Sequence, residues 1–186
     1  ALSTQNFTSA TDTFNTAVGH AAGTTVTTGL RNTLIGSLSG DGLNTGLDNT
    51  SLGYNSLGTE TSGARSVAVG SEALGTQNVG SGTAVYNVAL GYAAGNAITT
   101  GIQNTLIGGL AGDALTDADN NVAIGKSAMT TNQLGSDSVA VGTFALNSMN
   151  PASAVSMHNV AVGHNTGAAV TTGVQNTLIG GLAGDA

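Results

Sequence analysis

Apolar and polar residues alternate in a five-residue motif that occurs ten times along the chain. The motif consists of Asn or Ser, then Thr or Val, a third residue that is usually Ala or Leu, a branched aliphatic residue and Gly. The steps from each motif glycine to the next are 17, 17, 17, 21, 17, 17, 17, 21 and 17. Self-similarity at such a short period predicts a solenoid. The motif glycines are Gly19, Gly36, Gly53, Gly70, Gly91, Gly108, Gly125, Gly142, Gly163 and Gly180.

The spacing also defines a larger repeat, because three short steps and one long step make a block of 72. Blocks begin at residues 1, 73 and 145, and we interpret residues 1–186 as a single repetitive β-solenoid domain. Ten coils about 4.8 Å apart would form a rod of roughly 48 Å. Since Ala1 aligns with Ala73 and Ala145, inside a coil, we expect a segment of a longer fibre, with any signal, anchor or assembly domain outside it.

The alternation predicts which face of each short strand is inside the coil. The Thr or Val position and the aliphatic position before Gly are two residues apart, so they share one face. We expect that face to line the interior. The central residue, such as Ala17 or Leu34, would then point outwards, although it is apolar in nine of the ten coils. A strand that is apolar on both faces is buried on both, so we expect another copy of the chain to cover the central column.

Other columns of the repeat predict the turns between strands. The invariant Gly indicates a bend or a close backbone approach that a Cβ would prevent. Three residues later Ala, Ser or Thr always follows, which indicates a tight corner. The residue before that one varies from Leu38 to Glu72, so we expect it to contact solvent. Asn or Ser at the first motif position predicts stacked turns that are held together by ladders of Asn side chains.

Composition narrows the function classes. Charged residues make up 7% of the chain, aromatic residues 3%, and Gly accounts for 29 of 186 residues. This composition suits a stack of thin layers better than one thick hydrophobic core. Because each coil buries few side chains, we expect the chain to be stable only in association with other copies. The net charge of −7 argues against nucleic-acid binding. Cys is absent, which removes disulfides and thiolate chemistry, and no apolar run reaches the length of about 18 residues that membrane insertion needs.

Three stretches of the chain resemble a known repeat. NVAIG at 121–125, SVAVG at 138–142 and NVALGYAA at 87–94 are similar to head repeats of trimeric autotransporter adhesins. That resemblance implies a left-handed parallel β-roll wound as a homotrimer. The longer phrase TTGIQNTLIGGLAGDALTDADNNVAIG at 99–125 resembles tail-fibre proteins of tailed bacteriophages. Steps of 17 and 21 between motifs exceed the usual adhesin repeat, and no neck, stalk or anchor is present, which favours the phage interpretation.

The resemblance predicts a structural function. We expect a homotrimeric segment of a phage tail fibre, extracellular on the virion, with other virion proteins and a host cell-surface receptor or glycan as partners. The alternative is the head of a trimeric autotransporter adhesin on a bacterial surface. A third hypothesis is a glycan-processing tailspike, which would need clustered carboxylates in a groove between subunits. Glu60 and Glu72 are the only Glu residues available for it.

The histidines are weak candidates for chemistry. His20 and His164 occupy equivalent positions, but Tyr92 takes that position in the block between them. His158 likewise aligns with Phe14 and Tyr86, so we expect these positions to be filled by rings and not to hold a metal. A threefold ring of His around an axis is the alternative, because imidazole binds metal ions.

The densest acidic cluster comprises Asp113, Asp117, Asp119, Asn120 and Asn121. Its oxygen atoms would suit Ca²⁺, but the loop lacks the glycine and the closing Glu of an EF-hand, so we expect a solvated turn. Neither a Ser, His and acid arrangement nor a phosphate-binding loop occurs. We therefore expect no enzyme activity, no catalytic residue, no cofactor and no metal.

The block also carries irregular segments. The turns at 3–14, 75–86 and 147–158 match in length but differ in sequence, and such loops either bind partners or pack on neighbouring coils. The Thr pairs at 27–28, 99–100 and 171–172 recur only once per block, which is too sparse for an ice-binding plane.

Overall fold

The computed structural model describes residues 1–80 and 82–185, and within them it is all β, without a helix. Short strands coincide with the ten sequence motifs, and two further strands occur between them. The strands are β1 Thr16–Val18, β2 Thr33–Ile35, β3 Thr50–Leu52, β4 Val67–Val69, β5 Val88–Leu90, β6 Thr105–Ile107, β7 Val122–Ile124, β8 Gly135–Ser136, β9 Val139–Val141, β10 Val155–Ser156, β11 Val160–Val162 and β12 Thr177–Ile179.

The ten motif strands form one parallel sheet in chain order, and β8 pairs with β10 in a separate parallel ladder. Equivalent motif positions lie opposite each other, as Ile35 does to Leu52 and Ala123 to Ala140. Each motif strand therefore represents one turn of a parallel β-solenoid, as the periodicity predicted. We number the turns coil 1 to coil 10 after their motif.

The predicted assignment of strand faces is wrong. The central residues, among them Leu34, Ala68 and Leu106, are fully buried inside the coil. The flanking positions point outwards, and Val18 and Leu52 expose 59% and 44% of their surface. The reason is the alternation of side chains along a strand. The motif Asn lies two residues before the central residue, so both point to the same face, and the Asn ladder lies inside the coil. The columns expected to line the interior thus form the outer face.

The Asn ladder satisfies the buried backbone from coil to coil. The side-chain oxygen of Asn104 accepts a hydrogen bond from the backbone N–H of Asn121 at 3.0 Å, and its amide donates to the carbonyl of Ala118 at 2.8 Å. The same pattern recurs at Asn32 and Asn49. These amides are buried, where an unpaired backbone group would be costly, so the ladder replaces water as the partner of the turn. The predicted ladder is confirmed.

The motif glycines occupy a conformation that side chains avoid. Their φ angles lie between 122° and 144°. A Cβ at Gly36 would lie 2.4 Å from the carbonyl oxygen of Gly53, and the contact repeats up the stack. The predicted close approach is therefore confirmed. Two residues after each Gly the backbone is left-handed. Eight of the ten residues at this position are half-buried or exposed, and only Ala93 and Ser127 are buried, so most of the column contacts solvent in part.

The interior is filled by residues of complementary size. Where the strand centre is Leu, as at Leu106, the corner four residues after the motif Gly is glycine, here Gly112. A Cβ on Gly112 would approach the Leu106 side chain to 2.8 Å. Where the corner is large, as at Leu146, the centre is small, here Ala140, whereas coils 1, 5 and 9 combine an Ala centre with a Gly corner. In no coil are the centre and this corner both large, so a large side chain occupies at most one of the two positions.

We expect Gly108→Ala to destabilise the protein by about 1–3 kcal/mol or more, because its Cβ would lie 2.7 Å from the backbone of Gly125 and its φ is 131°. Gly109→Ala is the matched control, since no atom lies within 4 Å of a Cβ there. Chemical denaturation at fixed protein concentration measures both. Equal losses for the two variants would contradict the close-approach explanation.

The size rule predicts coupling between Leu106 and Gly112. Gly112→Leu alone overpacks the layer and should cost about 1–3 kcal/mol, and Leu106→Ala alone leaves a cavity costing about 2–5 kcal/mol. Together the two substitutions reproduce the Ala and Leu arrangement of coil 8. The double variant should therefore lose about 1–3 kcal/mol less stability than the sum of the two single losses. A double-mutant cycle from denaturation curves tests this, and additive energies would refute it.

Candidate functional site

The outward-facing side of the ten-stranded sheet is uncharged along its whole length and consists of aliphatic residues and five threonines. One of its two columns contains only Thr and Val, the other contains only Val, Ile and Leu, and neither contains a charged residue. We call these two columns the outer face. They are the positions Thr16, Thr33, Thr50, Val67, Val88, Thr105, Val122, Val139, Val160 and Thr177, with Val18, Ile35, Leu52, Val69, Leu90, Ile107, Ile124, Val141, Val162 and Ile179.

Exposed apolar surface is concentrated on and beside the outer face. Among the described residues, twelve large hydrophobic side chains are exposed, and nine of them belong to the outer face or to the columns that border it. Exposed apolar residues grouped on one side of a protein are typical of an interaction site. The nine are Phe14, Val18, Leu52, Tyr54, Tyr86, Leu90, Tyr92, Val162 and Ile179.

Two columns border the outer face. The amino edge is the residue before each motif, where the backbone is left-handed in every coil. The carboxyl edge is the residue after each motif Gly. In coil order the amino edge is Phe14, Arg31, Asp48, Arg65, Tyr86, Gln103, Asn120, Asp137, His158 and Gln175, and the carboxyl edge is His20, Ser37, Tyr54, Ser71, Tyr92, Gly109, Lys126, Thr143, His164 and Gly181.

Side chains on the amino edge interact with the coil above or below. The Arg31 guanidinium donates to the Asp48 carboxylate at 2.5 Å and 3.1 Å, and Arg65 approaches the same carboxylate at 3.9 Å. The hydrogen bond from Arg31 lowers the pKa of Asp48. Arg65 also lies 5.7 Å from the centre of the Tyr86 ring, within cation–π range. This part of the amino edge is thus a continuous ladder of polar and aromatic groups.

The carboxyl edge carries the exposed rings Tyr54 and Tyr92 and the third cation of the chain, Lys126. The Lys126 ammonium lies 5.9 Å from the centre of the Phe144 ring in the next coil. Because the two edges flank the apolar columns, the surface has the apolar centre and the polar, aromatic rim that protein interfaces show.

The three histidines lie at these edges and do not meet within one chain. His20 and His164 are on the carboxyl edges of coils 1 and 9, and His158 is exposed on the amino edge of coil 9. No group of three His, Cys, Asp or Glu side chains that could hold a metal ion occurs among the described residues.

The acidic cluster does not converge on one point. Asp113 accepts from the hydroxyl of Thr130 at 2.6 Å, and Asp117 accepts from that of Thr100 at 2.5 Å. Asp119 accepts from the backbone N–H of Ile102 at 2.7 Å. Each carboxylate therefore contacts a neighbouring coil, which accounts for these residues as hydrogen-bond acceptors in the turns. Asn121 belongs to the buried ladder, and Asn120 donates to Asp137 on the amino edge.

The two glutamates occupy different environments. Glu60 is fully buried, where it accepts from the backbone N–H groups of Ser62 and Gly63 and from the side chain of Gln77. Glu72 is half-buried beside the carboxyl edge. They do not form the accessible carboxylate pair that glycoside hydrolysis requires.

The three long turns differ in how far they are covered. Residues 8–12 of the first turn are exposed. In the third turn Pro151 and Met157 are buried, and Val155–Ser156 pairs with β8, so part of that turn packs on its neighbour. Residue 81 of the second turn lies outside the described residues.

A shallow groove lies on another side of the solenoid. The Thr27 hydroxyl bonds to Asn44, one coil away, and the two residues line an open groove of about 400 Å³ with Gly42 and other threonines. The first of the predicted Thr pairs therefore contacts its neighbouring coil through its side chain.

Comparisons of the chain with protein-family models, with curated proteins and with solved structures give no match. Over the described ranges, no helix could cross a membrane.

The ladder on the amino edge gives a pH-dependent prediction. Because Arg31 lowers the pKa of Asp48, the ionised carboxylate stabilises the fold above the pKa it has in the unfolded chain, and that stability is lost as pH falls through the lower folded value. Arg31→Gln should raise the pKa of Asp48 towards its ordinary value. Carboxyl NMR titration measures the shift, with Arg65→Gln as a control that should change it less. No difference between the variants would contradict the assignment.

Proposed function

We propose that this chain is a structural segment of a bacteriophage tail fibre, wound as a left-handed β-solenoid and assembled as a homotrimer. Its shorter and longer coils, with steps of 17 and 21 between motifs, would act as a rigid shaft. The observation that carries this proposal is the outer face, an uncharged surface of Val, Ile, Leu and Thr that runs the length of the solenoid, with eight of its twenty residues exposed and the other twelve half-buried.

The size of the face supports an interface with another copy. Ten strands about 4.8 Å apart and a width of about seven residues between the edges give about 48 Å by 20 Å, or nearly 1,000 Å². Stable interfaces bury about 800 Å² on each partner. The two columns of the outer face alone measure about 10 Å by 48 Å, which matches the largest apolar patches of about 300–600 Å² on ordinary monomers, and such patches are often functional.

The shape of the face is compatible with three chains around an axis parallel to the rod. Three flat faces about 20 Å wide enclose a prism with an inscribed radius of about 6 Å. Side chains of Val, Ile and Leu reach far enough from the backbone to fill such a prism. Cyclic symmetry also places the same surface of every subunit in the interface, which agrees with a face that is apolar in all ten coils.

As a shaft, the segment would hold receptor-binding parts of the fibre away from the particle, in the extracellular space. Its partners would be its own copies, other virion proteins and a host cell-surface receptor or glycan. The long turns are the part of the surface that differs from block to block, so they are the natural place for contact with a host surface.

The assembly is tested by light scattering. We expect a mass near three times 18.0 kDa. Leu52→Glu and Leu90→Glu, each at a side chain 44% exposed in the single chain, should reduce it to that of the monomer. An unpaired charge in the interface costs several kcal/mol, and three copies would meet near the axis.

Gln133→Glu is the matched control, because it adds the same charge at an exposed position on another side of the coil. Circular dichroism would check that each variant keeps its β structure. A wild-type chain that is monomeric, or a trimer that tolerates both Leu variants as well as the control, would overturn the proposed assembly.

A further inference from the structure

The two edges of the outer face carry rings in the same coils. Coil 1 has Phe14 on the amino edge and His20 on the carboxyl edge, coil 5 has Tyr86 and Tyr92, and coil 9 has His158 and His164. In the other seven coils the amino edge has no ring at all, and Tyr54 is the only ring on the carboxyl edge. Rings on the two edges therefore occur together once in every block.

The two rings of one coil lie on opposite sides of the outer face. Tyr86 and Tyr92 flank β5, whose three residues alone span about 10 Å. The neighbour of the Tyr86 ring within the chain is Arg65, one coil away on the same edge. Both tyrosines keep half or more of their surface exposed.

Contact between chains explains it. In a cyclic assembly whose axis is parallel to the rod, every coil lies at the same height as its equivalent in the next subunit. The amino edge of one subunit then meets the carboxyl edge of its neighbour, coil against the same coil. Under this arrangement Tyr86 meets Tyr92, and two rings with centres about 4.5–7 Å apart attract each other.

The charges beside the outer face fit the same arrangement. Arg65 and Glu72 belong to coil 4, on opposite sides of the outer face, so they would meet between subunits. Lys126 in coil 7 would lie one coil, or about 4.8 Å, from the height of Asp137 in coil 8. Ion pairs among the described residues involve only Arg31, Arg65 and Asp48, which leaves Glu72, Lys126 and Asp137 without an ionic partner in their own chain.

We propose that the amino and carboxyl edges pair between subunits at equal height, with ring on ring at coils 1, 5 and 9, and that at coil 4 Arg65 meets Glu72, which lies beside the carboxyl edge. The occupant of the outer face is thus a second copy in parallel orientation and fixed register. This inference rests on the proposed homotrimer and adds which residues determine the register. The apolar columns alone are too uniform to do so, since a slip by one coil would leave Val, Ile and Leu facing one another.

Crosslinking tests the register directly, because the native chain has no Cys. The probe is a short bis-maleimide, and a crosslink within one chain leaves the monomer mass unchanged on a denaturing gel. Tyr86→Cys combined with Tyr92→Cys should give covalent dimers and trimers on a denaturing gel. Tyr86→Cys combined with Thr143→Cys is the matched control, as Thr143 occupies the same edge three coils, or about 14 Å, away. It should give no covalent oligomer.

Light scattering on the same samples separates the two proposals. A trimer in which the 86 and 92 pair fails to crosslink, or in which the 86 and 143 pair reacts equally well, overturns the register and leaves the fibre proposal standing. A dimer formed by Tyr86→Cys alone would show antiparallel packing and would also overturn it. A monomer would overturn both.

Discussion

Stacking of every residue on its own equivalent, one strand spacing away, is the constraint on which this fold depends. Because neighbouring coils are about 4.8 Å apart, a position accepts only residues that can lie directly against the residue at the same position of the next coil. The motif Gly meets this condition because the carbonyl of the next coil, as between Gly36 and Gly53, occupies the place of a Cβ. Asn meets it because its side-chain amide both accepts from a backbone N–H and donates to a backbone carbonyl of the next coil.

The same constraint limits the interior to a single layer of side chains. A large residue at the strand centre requires glycine at the corner, and a large corner requires a small centre, as the pairs Leu106 with Gly112 and Ala140 with Leu146 show. So thin a core buries little apolar surface for each residue that is ordered, whereas backbone order costs about 1–2 kcal/mol per residue. The strand centres inside are small residues or Leu, whereas the β-branched residues of the motif lie on the outer face, which gives the molecule a second, partly apolar surface.

The sequence predicts the coils, the position of each motif strand, the Gly contact and the Asn ladder, because all of these follow from local spacing. The strand faces could not be assigned from apolar content, since both faces are apolar. The buried Asn lies two residues before Ala123 and therefore points to the same side of the strand, and this relation would have assigned the faces correctly. The left-handed residues were beyond prediction: Leu, Arg and Tyr rarely adopt positive φ, yet Leu74, Arg65 and Tyr86 do so because the stack determines the turn.

Charge is distributed so that the outer face is the part of the surface where two copies repel each other least. The chain carries a net charge of −7 and only three cations, Arg31, Arg65 and Lys126, and all three lie on the two edges that border the outer face. Most carboxylates lie elsewhere, inside the coil or on the turns. Copies approaching through any other surface would bring like charges together, whereas the edges offer acids and bases in comparable number. Electrostatics of this kind contributes to orientation and specificity more than to affinity, which here would come from the apolar columns.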